Sequence, residues 1–133
     1  MLTEKSSVEI DNLTCERGGR RIFRNLSFAV SGGAVLTLEG PNGVGKSSCL
    51  RIVAGFLPQA AGDVRVQMHA GYTITDPEER GKLCGWVGYA DGVKAQLTVM
   101  ENALYFAALY RARADVPTVL DRVGLTRLAD LPA

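Results

Sequence analysis

The chain opens on alternating apolar and polar positions and changes character near its middle. Residues 8–16 alternate in part, Val8 and Ile10 against Glu9 and Asp11, and predict a strand. Gly18-Gly19 supplies a turn, and residues 21–23 predict a short returning strand. Residues 26–30 set Leu26, Phe28 and Val30 against Ser27 and Ala29 and predict a third strand, ended by Ser31-Gly32-Gly33. Residues 34–38 are a short apolar run with β-branched Val and Thr, the pattern of a strand buried in a sheet. Leu50, Ile52, Val53 and Ala54 follow among helix-tolerant residues, with Gly55 placed to end a helix.

Beyond that point residues 63–68 predict a strand, and the polar stretch 70–82, broken by Asp76-Pro77, predicts a variable loop. A further strand is expected within 83–89, centred on residues 86–89. Thr98 and Glu101 have the T-x-x-E spacing of a capping box and open a helix expected to reach about Arg113. That helix is apolar on most sides, which implies burial or a partner. Asp115-Val116-Pro117 starts a short helix that stops at Gly124, and residues 125–133 hold little.

The chemistry lies between the expected strand at 34–38 and the helix after it. Residues 40–47 match the phosphate-binding pattern G-x-x-x-x-G-K-[ST], with Ser48 directly behind. Gly40 lets the chain turn off the strand, and Gly43 and Gly45 let the backbone close on a polyphosphate with no Cβ in the way. The cofactor-binding stretch is Gly40, Pro41, Asn42, Gly43, Val44, Gly45, Lys46, Ser47 and Ser48, and the amides from about Gly43 to Ser48 point inwards as an anion nest at a helix N-terminus. Lys46 is the candidate catalytic residue, reaching the β- and γ-phosphates, and Ser47 is the candidate Mg²⁺ ligand. The helix dipole alone contributes about 0.3–2 kcal/mol, so affinity must come from amides, Lys46 and metal together.

Composition narrows the class. Fifteen basic and fourteen acidic residues leave a net charge of +1 in 133 residues, which gives no polyelectrolyte case for nucleic acid. Arg20, Arg21 and Arg24 read as a solvated hairpin turn. Cys15, Cys49 and Cys84 have neither a disulfide framework nor zinc-ligand spacing, and His69 stands alone, so a reducing compartment is expected. The N-terminus lacks the apolar core of a secretory signal, and no stretch approaches the ~20 apolar residues of a membrane span.

A phosphate loop by itself fits GTPases, small-molecule kinases, helicases and transport ATPases. Three expected strands precede the loop here, and no N-K-x-D motif for guanine occurs. The run from Leu26-Ser27-Phe28 through Gly-Pro-Asn-Gly-Val-Gly-Lys-Ser-Ser to residues 50–58, with Gly62-Asp63-Val64, resembles the ATP-binding cassette (ABC) transporter ATPases. Residues 97–102 are similar to the helix opening that follows their Q-loop, and the resemblance covers nearly the whole chain. A finer resemblance joins residues 13–18, Phe23, 26–28 and 87–94 to the ATP-binding subunits of haem exporters in bacterial cytochrome c maturation.

The resemblance implies an α/β P-loop NTPase of ABC ATPase type with an N-terminal antiparallel β flank. Residues 1–133 would be a partial nucleotide-binding domain: flank about 7–33, loop core about 34–90, start of a helical subdomain about 97–133. It implies ATP and Mg²⁺, a second copy of the subunit, integral membrane subunits, and a peripheral place on the inner face of the bacterial membrane. The region 89–102 would face those membrane subunits. The activity implied is ATP hydrolysis driving export of haem or a related factor. The alternatives are a non-hydrolytic nucleotide-binding fragment and an ABC ATPase with a different cargo.

Three departures from the family pattern stand out. Where these ATPases place an aromatic residue to stack on adenine, the sequence has Arg17, whose planar guanidinium can also stack or can simply be an exposed hairpin arginine. The Q-loop glutamine is expected near position 90, which is Ala90, while Gln96 reads as a surface residue. The L-S-G-G-Q segment, the Walker B aspartate with its following glutamate, and the switch histidine are all missing. The chain therefore reads as the N-terminal part of a longer protein, truncated before the signature and Walker B segments, with unpaired sheet edges and marginal stability in isolation.

Overall fold

A computed structural model describes residues 6–69, 71–88 and 92–133. These fall into two compact units, one within Met1–Trp86 and one within Val87–Ala133.

In the first unit, β1 (Ser7–Arg17) and β2 (Arg20–Ser31) form a long antiparallel hairpin. β3 (Ala61–Gln67) pairs antiparallel with the other edge of β1, and the short β4 (Thr73–Ile74) pairs with β3, giving the order β2-β1-β3-β4. The two strands expected at 21–23 and 26–30 are one strand. Asn25 takes a left-handed φ of 52°, which absorbs an irregularity without breaking the ladder. Asn12 does the same on β1 with φ 50°, at the register shift between Ile10 and Leu13. That bulge is why two apolar residues three apart both face inward, and the Asn12 amide donates to Ser27 Oγ at 2.8 Å.

The core of this unit gathers Ile10, Leu13 and Cys15 from β1, Val64 from β3, and Cys49 and Ile52 from α1 (Lys46–Val53). Gly55 ends that helix as expected. Its φ is 81°, its amide donates to the Ile52 carbonyl, and a Cβ there would lie 2.0 Å from the Pro77 carbonyl oxygen.

Other expectations also need correction. Residues 34–38 are not a strand: they have no ladder partner among the described residues, Val35 is 93% exposed, and only Leu38 packs on the core. Strand identity requires a neighbour to bond, which an apolar run cannot provide for itself. No strand is formed at 86–88 for the same reason, and Tyr89 lies outside the described residues. The expected loop at 70–82 instead holds β4 and α2 (Pro77–Leu83). Asp76-Pro77 is a helix start, not a breaker: Asp76 caps the Glu79 amide at 3.0 Å and Pro77 occupies the first turn, where its missing N–H is no loss.

The second unit holds α3 (Val99–Leu109), α4 (Val116–Arg122) and a 3₁₀ turn at Thr126–Leu128. The capping box is formed: Thr98 Oγ1 accepts from the Glu101 amide at 3.1 Å, and the Thr98 amide donates to Glu101 at 2.8 Å. α3 stops at Leu109, short of Arg113, because Arg111 turns left-handed at φ 51° and the Ala112 amide closes on the Ala107 carbonyl. Residues 125–133 carry more than expected. The carbonyls of Ala129 and Leu131 accept the Met100 and Val99 amides, satisfying donors that the first turn of α3 would leave open. Val116, Leu120 and Ala129 form the core here, with Val99, Met100 and Ala103 packed against them. Among the described residues no helix is long and apolar enough to cross a membrane.

Candidate functional site

The glycine-rich loop runs straight into the N-terminus of α1. Gly45 is the helix N-cap with φ 107°, and no side chain caps the first turn. The leading amides of α1 are thereby left for an outside acceptor, and no acidic residue in that turn competes for them. Lys46 Nζ folds back on the loop, donating to the Gly40 carbonyl at 2.6 Å and the Pro41 carbonyl at 2.9 Å. The ammonium is held over the loop by two neutral carbonyl acceptors, and no ion pair engages it among the described residues.

A cavity of about 600 Å³ opens over this turn. Asn42, Gly43, Gly45, Lys46, Ser47 and Ser48 form one part of its wall, and Arg17, Gly18 and Ile22 from the β1–β2 hairpin form the rest. The structure thus brings Arg17 to the loop across 25 or more residues of chain. Gly40, Pro41 and Val44 do not line the cavity. The first two hold Lys46 through their carbonyls, and Val44 is half exposed beside Gly40. Ala90 lies outside the described residues.

The hairpin packs hard against the loop. A Cβ on Gly45 would come within 2.5 Å of Ile22 Cγ2 and 3.0 Å of Phe23 Cδ1. Gly45 is therefore fixed twice, by its left-handed backbone and by this approach. Gly18 and Ile22 were not legible as site residues; an isoleucine after two arginines carries no chemical signal of its own.

Beneath the loop, Cys15 and Cys49 are buried, and burial is the main cause raising both thiols above the ordinary value of 9.0. They stay protonated and act as small apolar core residues. All three cysteines are free.

The second buried feature is Arg80, 1% exposed and unexpected from a stretch read as loop. Its guanidinium donates to four backbone carbonyls: Ile52 at 3.2 Å, Val53 at 3.3 Å, Val64 at 3.3 Å, and Thr75. Two of these end α1, so the cation sits at the negative end of the helix whose positive end faces the cavity. Burial lowers the Arg80 pKa, offset in part by Asp76, and the guanidinium remains charged at neutral pH.

For a divalent metal, the side-chain oxygen donors on this wall come from Asn42, Ser47 and Ser48, with no carboxylate. Among the described residues no cluster of three or more His, Cys, Asp or Glu could hold an ion by itself. Ser47 fits a Mg²⁺ that takes its remaining ligands from phosphate oxygens and water, the usual state of that ion.

An uncapped helix N-terminus, an inward lysine and a hydroxyl in series after a glycine turn define the phosphate-binding class of α/β proteins. The family model described as "ABC transporter" matches residues 23–133, and the chain belongs to that family. It is 42% identical over 132 residues to the "Cytochrome c biogenesis ATP-binding export protein CcmA" of Paramagnetospirillum magneticum, covering 96% of this chain and 60% of the relative. The protein of the same description from Dechloromonas aromatica is 40% identical over 127 residues, 93% of this chain and 61% of the relative. The chain therefore spans about 60% of the length of these relatives. In fold it is similar to a bacterial Atm1-family ABC exporter solved with ATP bound, with a TM-score of 0.75 at 23% identity, covering 99% of this chain and 24% of that one.

Proposed function

We propose that this chain forms the Mg·ATP-binding portion of an ABC transporter ATPase that serves cytochrome c biogenesis. The observation that carries the reading is one cavity walled by both the Lys46–Ser48 helix start and the Arg17 hairpin. Lys46 leaves the Gly40 and Pro41 carbonyls for the β- and γ-phosphates, the amides of residues 43–48 take the phosphate oxygens, and Ser47 ligates Mg²⁺. Bound Mg²⁺ supplies charge neutralisation along the polyphosphate. Arg17 and Ile22 are left for the nucleoside.

In the longer protein, flank 7–33, loop core 34–90 and helical part 97–133 act as one nucleotide-binding domain, and residues 34–38 receive further strands of a core sheet. That protein pairs with a second copy, docks on integral membrane subunits from the inner face of the bacterial membrane, and hydrolyses ATP. The exported species is haem or a related factor. The relatives' description as cytochrome c biogenesis export proteins supports this assignment at 40–42% identity. No carboxylate lines the cavity among the described residues, so the group that orients the attacking water comes from outside this wall. That observation also favours a second reading for the chain by itself: nucleotide binding without turnover.

Titration of Mg·ATP into wild type and Lys46→Ala tests the proposal. Loss of Lys46 removes a charge-assisted contact to phosphate and is expected to weaken binding by about tenfold or more. Equal affinity in the two proteins contradicts a phosphate site at this loop.

A further inference from the structure

We infer that Arg80 is a positioning residue for the phosphate loop: by holding the C-terminal end of α1 it sets the direction in which the first-turn amides and Ser47 point. The inference rests on the proposed nucleotide site. Arg80 does not line the cavity and acts on it only through the helix. α1 has eight residues, so it is about 12 Å long and its two ends move together. A tilt of about 10° around its middle displaces each end by about 1 Å. Binding contacts need their geometry held to within about 0.5 Å.

Apolar packing by itself does not fix that direction. Cys49 and Ile52 seat one side of α1 on the core, while Leu50 is half exposed and Arg51 is exposed. Contact of that kind is non-directional and tolerates rocking of the helix. At the start of α1 no side chain caps the first turn. The directional bonds lie at the far end. Arg80 Nη2 donates to the Ile52 carbonyl at 3.2 Å and Nε to the Val53 carbonyl at 3.3 Å. Nη1 donates to the Val64 carbonyl of β3 at 3.3 Å and to the Thr75 carbonyl. A rigid planar fork bonded to three segments at once fixes an angle, which one hydrogen bond cannot.

Two further contacts close the same joint. The 2.0 Å that would separate a Gly55 Cβ from the Pro77 carbonyl oxygen shows the start of α2 abutting the end of α1. Just beyond, the Phe56 ring meets Trp86 edge-on, with 5.4 Å between centroids. No ion pair engages Arg80 among the described residues, so its charge rests on the negative end of α1. A buried cation carries a desolvation cost that an apolar residue of similar volume avoids, and what it gives in return here is a fixed geometry.

The test compares the purified protein with Arg80→Met, Arg80→Lys and Val66→Ala, each at a temperature where its amide NMR spectrum is that of a folded chain. Val66 is buried in β3 but outside the core cluster that holds α1, so Val66→Ala lowers stability without touching the helix. Two quantities are read: the Mg·ATP dissociation constant, and the amide NMR positions of residues 43–48 before nucleotide is added. Arg80→Met is expected to weaken Mg·ATP about tenfold and to shift those amides in the empty protein. Arg80→Lys should fall between it and wild type, because an ammonium keeps donors without the planar fork. Val66→Ala should leave the amides in place and the affinity within about twofold. Wild-type affinity in Arg80→Met overturns the inference. So does an equal loss in Val66→Ala, which would tie affinity to stability alone. A weaker affinity with residues 43–48 unmoved also overturns it, since the effect would then be charge acting at a distance. If Arg80→Met does not fold, Arg80→Lys decides: a partial loss with shifted amides supports the inference, and wild-type values overturn it. Each of those outcomes leaves the nucleotide site standing. Failure of the wild-type protein to bind Mg·ATP overturns both.

Discussion

Arg80 Nη2 donates to the carbonyl of Ile52 at 3.2 Å, tying α2 to the last turn of the helix that begins at Lys46. With its bonds to Val53, Val64 and Thr75, this one buried side chain joins the loop helix, β3 and the segment before α2. Arg80→Met keeps the stem and removes the donors, leaving buried carbonyls unmatched. A stability loss of about 2–4 kcal/mol is expected, read from urea unfolding. Arg80→Lys should recover only part of it, because an ammonium has three donors and no planar fork.

Gly45 makes a sharper case. Gly45→Ala meets both the left-handed φ and the 2.5 Å approach to Ile22. The backbone costs about 1–2 kcal/mol and the overlap about 1–3 kcal/mol. Mg·ATP binding should be lost, and Ile22→Ala in the same chain should restore it only in part, since the strained φ remains. Full recovery in the double variant would mean that overlap alone fixes this glycine.

In the second unit, Asn102 is 6% exposed and organises the turn ahead of α3. Its Oδ1 accepts from the Lys94 amide at 2.8 Å, and its Nδ2 donates to the carbonyls of Lys94, Leu97 and Thr98. Asn102→Leu should speed hydrogen exchange at the Lys94 amide by about tenfold or more while α4 keeps its protection. Unchanged exchange at Lys94 would contradict this role for Asn102.

The buried thiols give a pH dependence with a definite sign. Burial raises Cys15 and Cys49 above the unfolded thiol value of 9.0, so the folded state holds their protons longer. Their contribution is intact below that value and is lost as pH rises through the folded pKa values. Stability should therefore fall above about pH 9, and more gently in Cys49→Ala. A wild-type slope that Cys49→Ala leaves unchanged would assign the loss to other groups.

Legibility in the sequence was local. The loop at 40–48, the capping box at Thr98 and the helix stops at Gly55 and Gly124 are written in consecutive residues, and each is formed. The illegible parts depend on distant partners. The apolar run at 34–38 has strand composition but no strand beside it to bond. Asp76-Pro77 can either break a chain segment or cap a helix, and here it caps α2 because Arg80 has four carbonyls waiting. Ile22 joins the site only because a bulged hairpin folds back over the loop.

Whether loop and hairpin form a single nucleotide site is tested most directly by following backbone amide NMR signals during a Mg·ATP titration. The amides of residues 43–48 and those of residues 17–22 should shift together, with one shared dissociation constant. Shifts that leave residues 43–48 untouched would contradict a nucleotide site at this loop.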